Sequence, residues 1–210
     1  MSMVNTASQA SSAFIVTEDP CIPFVNTVAW RLTGEPQERL ESARSLLVVL
    51  REQRLVDDGL LRAYRAHWKS DPRAADNAYR LAIEAREAMY AALYGAAREK
   101  KTPADLSLLF RLLSVETPGA TLLHRNGRYV WSWDANALRA AALIRPFVVS
   151  ALGLLTGPRA KRIKQCEDAR GCGWLFVDES RAQNRRWCSM GDCGNCAKAR
   201  RNYARGRESS

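Results

Sequence analysis

Five of the six cysteines fall between positions 166 and 196, at Cys166, Cys172, Cys188, Cys193 and Cys196. The spacing is Cys166-x5-Cys172, then fifteen residues, then Cys188-x4-Cys193-x2-Cys196. Two close groups of thiols separated by a loop suit a tetrahedral zinc ion. Each group sits on a turn that aims its sulfurs at one point, and the loop brings the turns together. Zinc suits thiolates because it is borderline-soft and does no redox chemistry. Four thiolates would close its coordination shell and leave no position for water, so the expected role is structural. A segment this short has little core of its own, and the free energy of metal binding would stand in for one. The competing reading of Cys193-x2-Cys196 is a redox dithiol. Such dithiols accompany a βαβ pattern, and none is present here. Cys21 stands alone.

The elements that must hold this cluster are mainly helical. Glu38 to Leu55 carries Leu40, Ala43, Leu47 and Leu50 near a 3.6-residue period. Asp71 to Lys100 is the longest helical signal, with Leu81, Ala85, Ala88, Met89, Ala92, Leu93 and Ala96 on one face and Arg80, Glu84, Glu87 and Arg98 elsewhere. Ala141, Ile144, Val148, Ala151 and Leu155 make a third face, in which Pro146 should bend the helix or start a new one. Pro103 and the segment Thr117 to Asp134 interrupt the helices. Ala120–His124 and Arg128–Trp133 are rich in strand formers, and Asn126-Gly127 between them favours a tight hairpin turn. Such a hairpin must pack on the helices or pair with Phe14-Ile15-Val16. Thr156-Gly157-Pro158 reads as a helix stop and linker. The expected fold class is therefore mainly α with a small β-hairpin. A polar tail at 1–12 precedes a helical N-terminal domain at 13–156, and a small C-terminal zinc-binding module follows at 159–207.

Charge is distributed unevenly. The chain carries a net +10, and thirteen Lys or Arg against six Asp or Glu after position 156 account for +7 of it. Such asymmetry points to an anionic partner, most often nucleic acid, as against a merely solvated face. No apolar run is long enough to span a membrane. The opening MSMVNTASQASSAF lacks the basic start and apolar stretch of a secretory signal, so a cytoplasmic location with reduced thiols is expected. There is no Gly-rich phosphate loop, G-x-S-x-G or HExxH, and His67 and His124 form no ligand cluster. No enzymatic activity is expected.

The runs RIKQC, GCGWLFVDESR, RRWCSMGDCGN and AKARR, over Arg162 to Arg201, resemble the CGNR-type zinc finger of bacteria. Carried over residue by residue, that resemblance implies ligands at Cys166, Cys172, Cys188 and Cys193, a basic pair at Arg185 and Arg186, and a further basic residue at Lys198. The Arg that names the motif is Cys196 here, which makes Cys196 an alternative ligand. The Asn usual after S-R is Ala182, and the first cysteine gap is one residue longer than the family pattern. Phe24-Val25-Asn26-Thr27 resembles the opening of the ABATE domain, which commonly precedes this finger. The pair together implies a stress-related bacterial transcription regulator.

On that reading the cofactor is one structural Zn²⁺ and the main partner is duplex DNA. Arg181, Arg185 and Arg186 on the inter-ligand loop would meet phosphates, with Lys198, Arg200, Arg201, Arg205 and Arg207 on a terminal helix. Trp174, Phe176 and Trp187 are expected to build the small core, and Asp178 with Ser180 to cap a turn. The N-terminal domain would bind a small-molecule effector, form a homodimer, or both. Asn26, Thr27, Arg31 and Arg86 are the candidate pocket, against the plainer reading that Asn26 and Thr27 brace a helix and Arg86 lies on the surface. RNA binding and a protein-interaction adaptor are the alternatives.

Overall fold

A computed structural model of the chain describes residues 18–99, 104–114, 121–125, 128–132 and 138–208. Helix α1 (Cys21–Val25) is followed by two short strands, β1 (Val28–Ala29) and β2 (Gln37–Glu38). Helices α2 (Ala43–Glu52), α3 (Asp58–Ser70), α4 (Pro72–Ala97) and α5 (Ser107–Ser114) come next. Strands β3 (Thr121–Arg125) and β4 (Arg128–Ser132) precede helix α6 (Ala140–Thr156). The C-terminal part holds β5 (Ile163–Gln165), β6 (Leu175–Val177), a π-helical turn at Met190–Gly194 and helix α7 (Asn195–Glu208).

The helix starts follow from capping chemistry. Ser42, Asp57 and Asp71 accept hydrogen bonds from the backbone N–H groups of Ser45, Leu60 and Ala74, which satisfies donors the helices leave open. Pro72 adds a preset φ at the first position of α4. This explains why α2 begins at Ala43 although the apolar pattern extends back to Leu40. Pro146 does not end α6, which continues to Thr156 with Pro146 buried inside it. Strands β3 and β4 pair antiparallel with Leu123 opposite Val130. The Asn126-Gly127 turn, the tail at 1–12, Phe14-Ile15-Val16 and Pro103 lie outside the described residues.

Helix α4 is the axis of the molecule, and α1, α2, α3, α5, α6 and β5 all pack on it. Its buried line of Ala78, Ala82, Ala85, Met89 and Leu93 is mostly alanine, which lets neighbouring helices approach closely. Phe24 of α1 stacks on Phe147 of α6 with centroids 4.2 Å apart. Ile163 of β5 and Leu175 of β6 belong to this same core, so the C-terminal hairpin is built onto the helices.

Arg86 lies in the middle of the buried face of α4, contrary to the expectation of a surface residue. Its guanidinium donates to both carboxylate oxygens of Glu38 at 2.7 Å, to Glu87 at 2.9 Å and to the Thr27 hydroxyl at 3.1 Å. The pairing ties α4 to β2 and to the end of α1. Its side chain is 3% exposed and that of Glu38 37%, so removing the cation leaves a half-buried carboxylate without its partner. Arg86→Ala is expected to cost about 2–3 kcal/mol of unfolding free energy. The shift in urea midpoint measures it, and a change under about 0.5 kcal/mol would show that the pairing contributes little.

Candidate metal centre

Cys166 follows β5, and Cys172 lies on the turn between β5 and β6. Cys188 ends the long loop after β6, and Cys193 lies in the π-helical turn that leads into α7. The fold brings these four thiols together, with all four sulfurs within 4.8 Å of one another. The Cys172–Cys188 and Cys188–Cys193 sulfur separations are both 3.8 Å. Four thiolates around zinc at Zn–S of about 2.3 Å form a tetrahedron whose edge is about 3.8 Å, so the donor set fits that ion. All six cysteines are free thiols. Cys196 is half-buried in the first turn of α7 and is not part of the four-sulfur group.

The sulfurs cannot all ionise on their own. Hydrogen bonds from Cys172 and then Cys188 hold the Cys166 thiol far below its ordinary range. Hydrogen bonding with Cys166 and Cys172 pushes Cys188 far up, and burial does the same to Cys193. One thiolate is favoured at the expense of the others, and a divalent cation is what would let four carry charge together. Arg170 stands next to this group. It pairs with buried Asp168 at 2.6 Å and lies with its Nη2 4.0 Å from the Cys193 sulfur.

The turn carrying Cys172 is shaped from outside. Arg31 N–H donates to the Cys172 carbonyl at 3.1 Å and Leu32 N–H to that of Gly171 at 3.0 Å. Gly171 and Gly173 have φ of +93° and +68°, where side chains are disfavoured. A Cβ on Gly171 would also come within 2.7 Å of Thr33, and one on Gly173 within 2.8 Å of Leu32. The two glycines flanking Cys172 are therefore required by the close approach of residues 30–33. That G-C-G pattern was a readable signal of such an approach, and sequence reasoning did not use it.

Asn26 makes the second link. The backbone bonds Cys166 N–H to Trp174 O and Asp178 N–H to Arg162 O fix which groups of β6 face β5. In the antiparallel register Gln165 opposes Leu175, whose own N–H and C=O must then point to the free edge. The Asn26 carboxamide satisfies both, donating to Leu175 O at 2.8 Å and accepting from Leu175 N–H at 2.9 Å. Trp174 Nε1 donates to Val28 O at 2.8 Å, and Tyr90 donates to Gly173 O at 2.8 Å.

The other residues of the expected effector pocket also make hydrogen bonds within the fold. Thr27 donates to Phe24 O and accepts from Arg86. Arg31 pairs with Glu87 at 2.6 Å and lies 3.9 Å over the Tyr90 ring. Only Asn26 and Thr27 border a cleft, while Arg31 and Arg86 are directed at carboxylates.

Asp178 organises the loop between ligand pairs. It is fully buried and accepts from Lys164 at 2.8 Å, Arg185 N–H at 2.9 Å and Ser180 N–H at 3.0 Å. Burial opposes its ionisation, but Lys164 and the Ser180 hydroxyl outweigh burial and hold its carboxyl well below the usual range. Arg185 is a brace in this loop. Its guanidinium donates to Trp187 O at 2.8 Å and to Cys188 O, and covers Phe176, so its donors are directed inward. Arg186 pairs with Glu167 at 2.6 Å and stays largely exposed. Arg181, Lys198, Arg200 and Arg201 are exposed and in no ion pair among the described residues. The side chains of Arg205 and Arg207 lie outside the described residues.

Replacing Asn26 with Ala leaves two backbone groups of Leu175 without partners. The expected cost is about 1–3 kcal/mol, read from the thermal or urea midpoint. Wild-type stability in that variant would show that solvent satisfies the β6 edge equally well.

Residues 162–206 match the family described as CGNR zinc finger. Residues 18–158 match the ABATE family, described as "Putative stress-induced transcription regulator". None of the curated proteins compared with the chain matches it. With the ABATE match covering well over half of its length, followed by the finger, the chain belongs to the ABATE family and carries a CGNR zinc finger.

Proposed function

We propose that the chain is a zinc-dependent DNA-binding regulator whose finger presents helix α7 to duplex DNA. The observation that carries this reading is the continuity of α7 with the sulfur cluster. Cys193 lies in the turn that opens directly into α7, and Lys198, Arg200 and Arg201 are exposed on that helix. A bound zinc ion, held by Cys166, Cys172, Cys188 and Cys193, would tie the start of a basic helix to the hairpin and loop. Zinc there supplies charge neutralisation and cross-linking, with no open coordination position.

The chain's own residues divide the remaining work. Arg170 sets a positive charge beside Cys193, and outer partners of this kind tune thiolate ligands. Asp178 and Arg185 shape the loop that carries Arg181 and Arg186. The exposed cations then meet phosphates, and one or two of those on α7 reach base edges. Arg185 is assigned to the loop's architecture, so the interface is Arg181, Arg186, Lys198, Arg200 and Arg201. The family match supports a regulatory role.

Elemental analysis should find one zinc per chain, retained in Cys196→Ser and lost or sharply reduced in Cys193→Ser. Combining Lys198→Gln, Arg200→Gln and Arg201→Gln should weaken binding to duplex DNA about tenfold or more at moderate salt. It should also reduce the slope of log K against log salt by about 0.9 for each phosphate that is no longer neutralised. Zinc content and melting temperature of that variant should equal those of the wild type. Unchanged affinity would remove α7 from the interface. Preference for RNA of matched sequence over the duplex would replace DNA as the partner.

A further inference from the structure

A cleft of about 1200 Å³ lies where α2 and α3 face the C-terminal hairpin. Its lining mixes two chemistries. Ile22, Val48, Val49, Trp174 and Phe176 give it apolar and aromatic walls. Arg39, Arg44, Arg65 and Lys69 bring four cations to the same space. Arg65 and Lys69 are one helical turn apart on α3 and so share a face. None of the four is in an ion pair among the described residues. Glu52 is the one carboxylate in the lining. The Arg39 guanidinium lies 5.2 Å from the centre of the Trp174 ring.

Elsewhere, cations that join segments of the fold are neutralised. Arg31, Arg86, Arg159 and Arg170 each meet at least one carboxylate. In the cleft, like charges converge on a concave surface, where the field is focused and attracts an anion. The apolar walls argue against a bare phosphate chain as occupant, since it would desolvate without covering them. An occupant that satisfies both halves carries an acidic group on an aromatic or aliphatic body. Pockets of this kind, largely apolar with a few convergent polar groups, are typical small-molecule sites.

We propose that this cleft is a binding site for a small amphipathic organic anion. Arg44, Arg65 and Lys69 take its acidic group, and the Trp174–Phe176 wall takes its apolar body. Because that wall is the start of β6 with the residue before it, held at Leu175 by Asn26, the occupant touches the helical domain and the finger at once. Of the pocket residues expected from the sequence the site takes in Asn26 and Thr27 but not Arg31 or Arg86, and it rests on the cleft alone, whatever nucleic acid the finger binds.

The test uses the full zinc-loaded chain and 8-anilinonaphthalene-1-sulfonate, an aromatic sulfonate, as the probe. Saturable binding with one probe per chain is expected. Arg44→Gln combined with Arg65→Gln should weaken it about tenfold. Arg62→Gln with Arg80→Gln, exposed positions outside the cleft, should leave it unchanged. Circular dichroism and melting temperature verify that both double variants are folded. Duplex DNA is titrated into the same proteins, and its affinity should be insensitive to the cleft variant. Absence of saturable probe binding, or equal loss in both double variants, overturns the proposal. A parallel loss of DNA affinity in the cleft variant also overturns it, by assigning these cations to the nucleic-acid surface. Failure of DNA binding in every protein, with probe binding intact, would sink the DNA reading and leave this one standing.

Discussion

Two backbone hydrogen bonds, from Arg31 and Leu32 to the carbonyls of Cys172 and Gly171, decide where the sulfur cluster sits relative to the helices. They require the chain to turn at Trp30, which takes a φ of 55°, and they require glycine on both sides of Cys172. The rest of the junction follows from this approach. With the turn held there, β6 runs beside α1 with its free edge toward Asn26. Trp174 reaches Val28, and Tyr90 of α4 reaches Gly173. The finger is then less an appended module than the last layer of the helical domain. A small metal-bound segment has little apolar surface of its own to bury. Sharing Ile163 and Leu175 with the main core compensates for that.

The arginines divide by what they meet. Arg31 and Arg86 join distant segments through carboxylates, while Arg170 and Arg185 brace their own loops through a carboxylate and carbonyls. Their planar five-donor heads suit that task better than an ammonium would. Arg181, Lys198, Arg200 and Arg201 face solvent around the cluster, and Arg39, Arg44, Arg65 and Lys69 surround the cleft. A net positive charge is thus a sum over braces, the surface proposed for nucleic acid and the cleft proposed for an anion, and the total alone does not separate them.

The legible parts of this sequence were those encoded locally. The apolar period of α4, the strand pair at 121–132 and the thiol spacing each lie within one continuous stretch, and each appears in the structure close to where the pattern puts it. Cys196 was ambiguous on spacing alone, and in the fold it begins α7 while the four-sulfur group forms without it. What could not be read were pairings across long separations. Asn26 meets Leu175 from 149 positions away, and Arg86 meets Glu38 from 48. The polar residues of F-V-N-T admitted both a pocket and a brace, and their hydrogen bonds show the brace, while Asn26 and Thr27 also border a cleft. Nothing in R-R-W-C says that the Arg185 guanidinium turns inward onto the Trp187 and Cys188 carbonyls.

If the sulfur cluster and the arm at 30–33 form one mechanical unit, metal at the cysteines must be felt in the helical domain's backbone. Amide hydrogen exchange at Arg31 and Leu32, compared before and after zinc is stripped by a strong chelator, tests this directly. Those two amides should be protected in the zinc-loaded protein and lose protection on chelation, while amides in the middle of α4 remain protected. Unchanged protection at Arg31 and Leu32, in protein verified to be metal-free, would contradict the account.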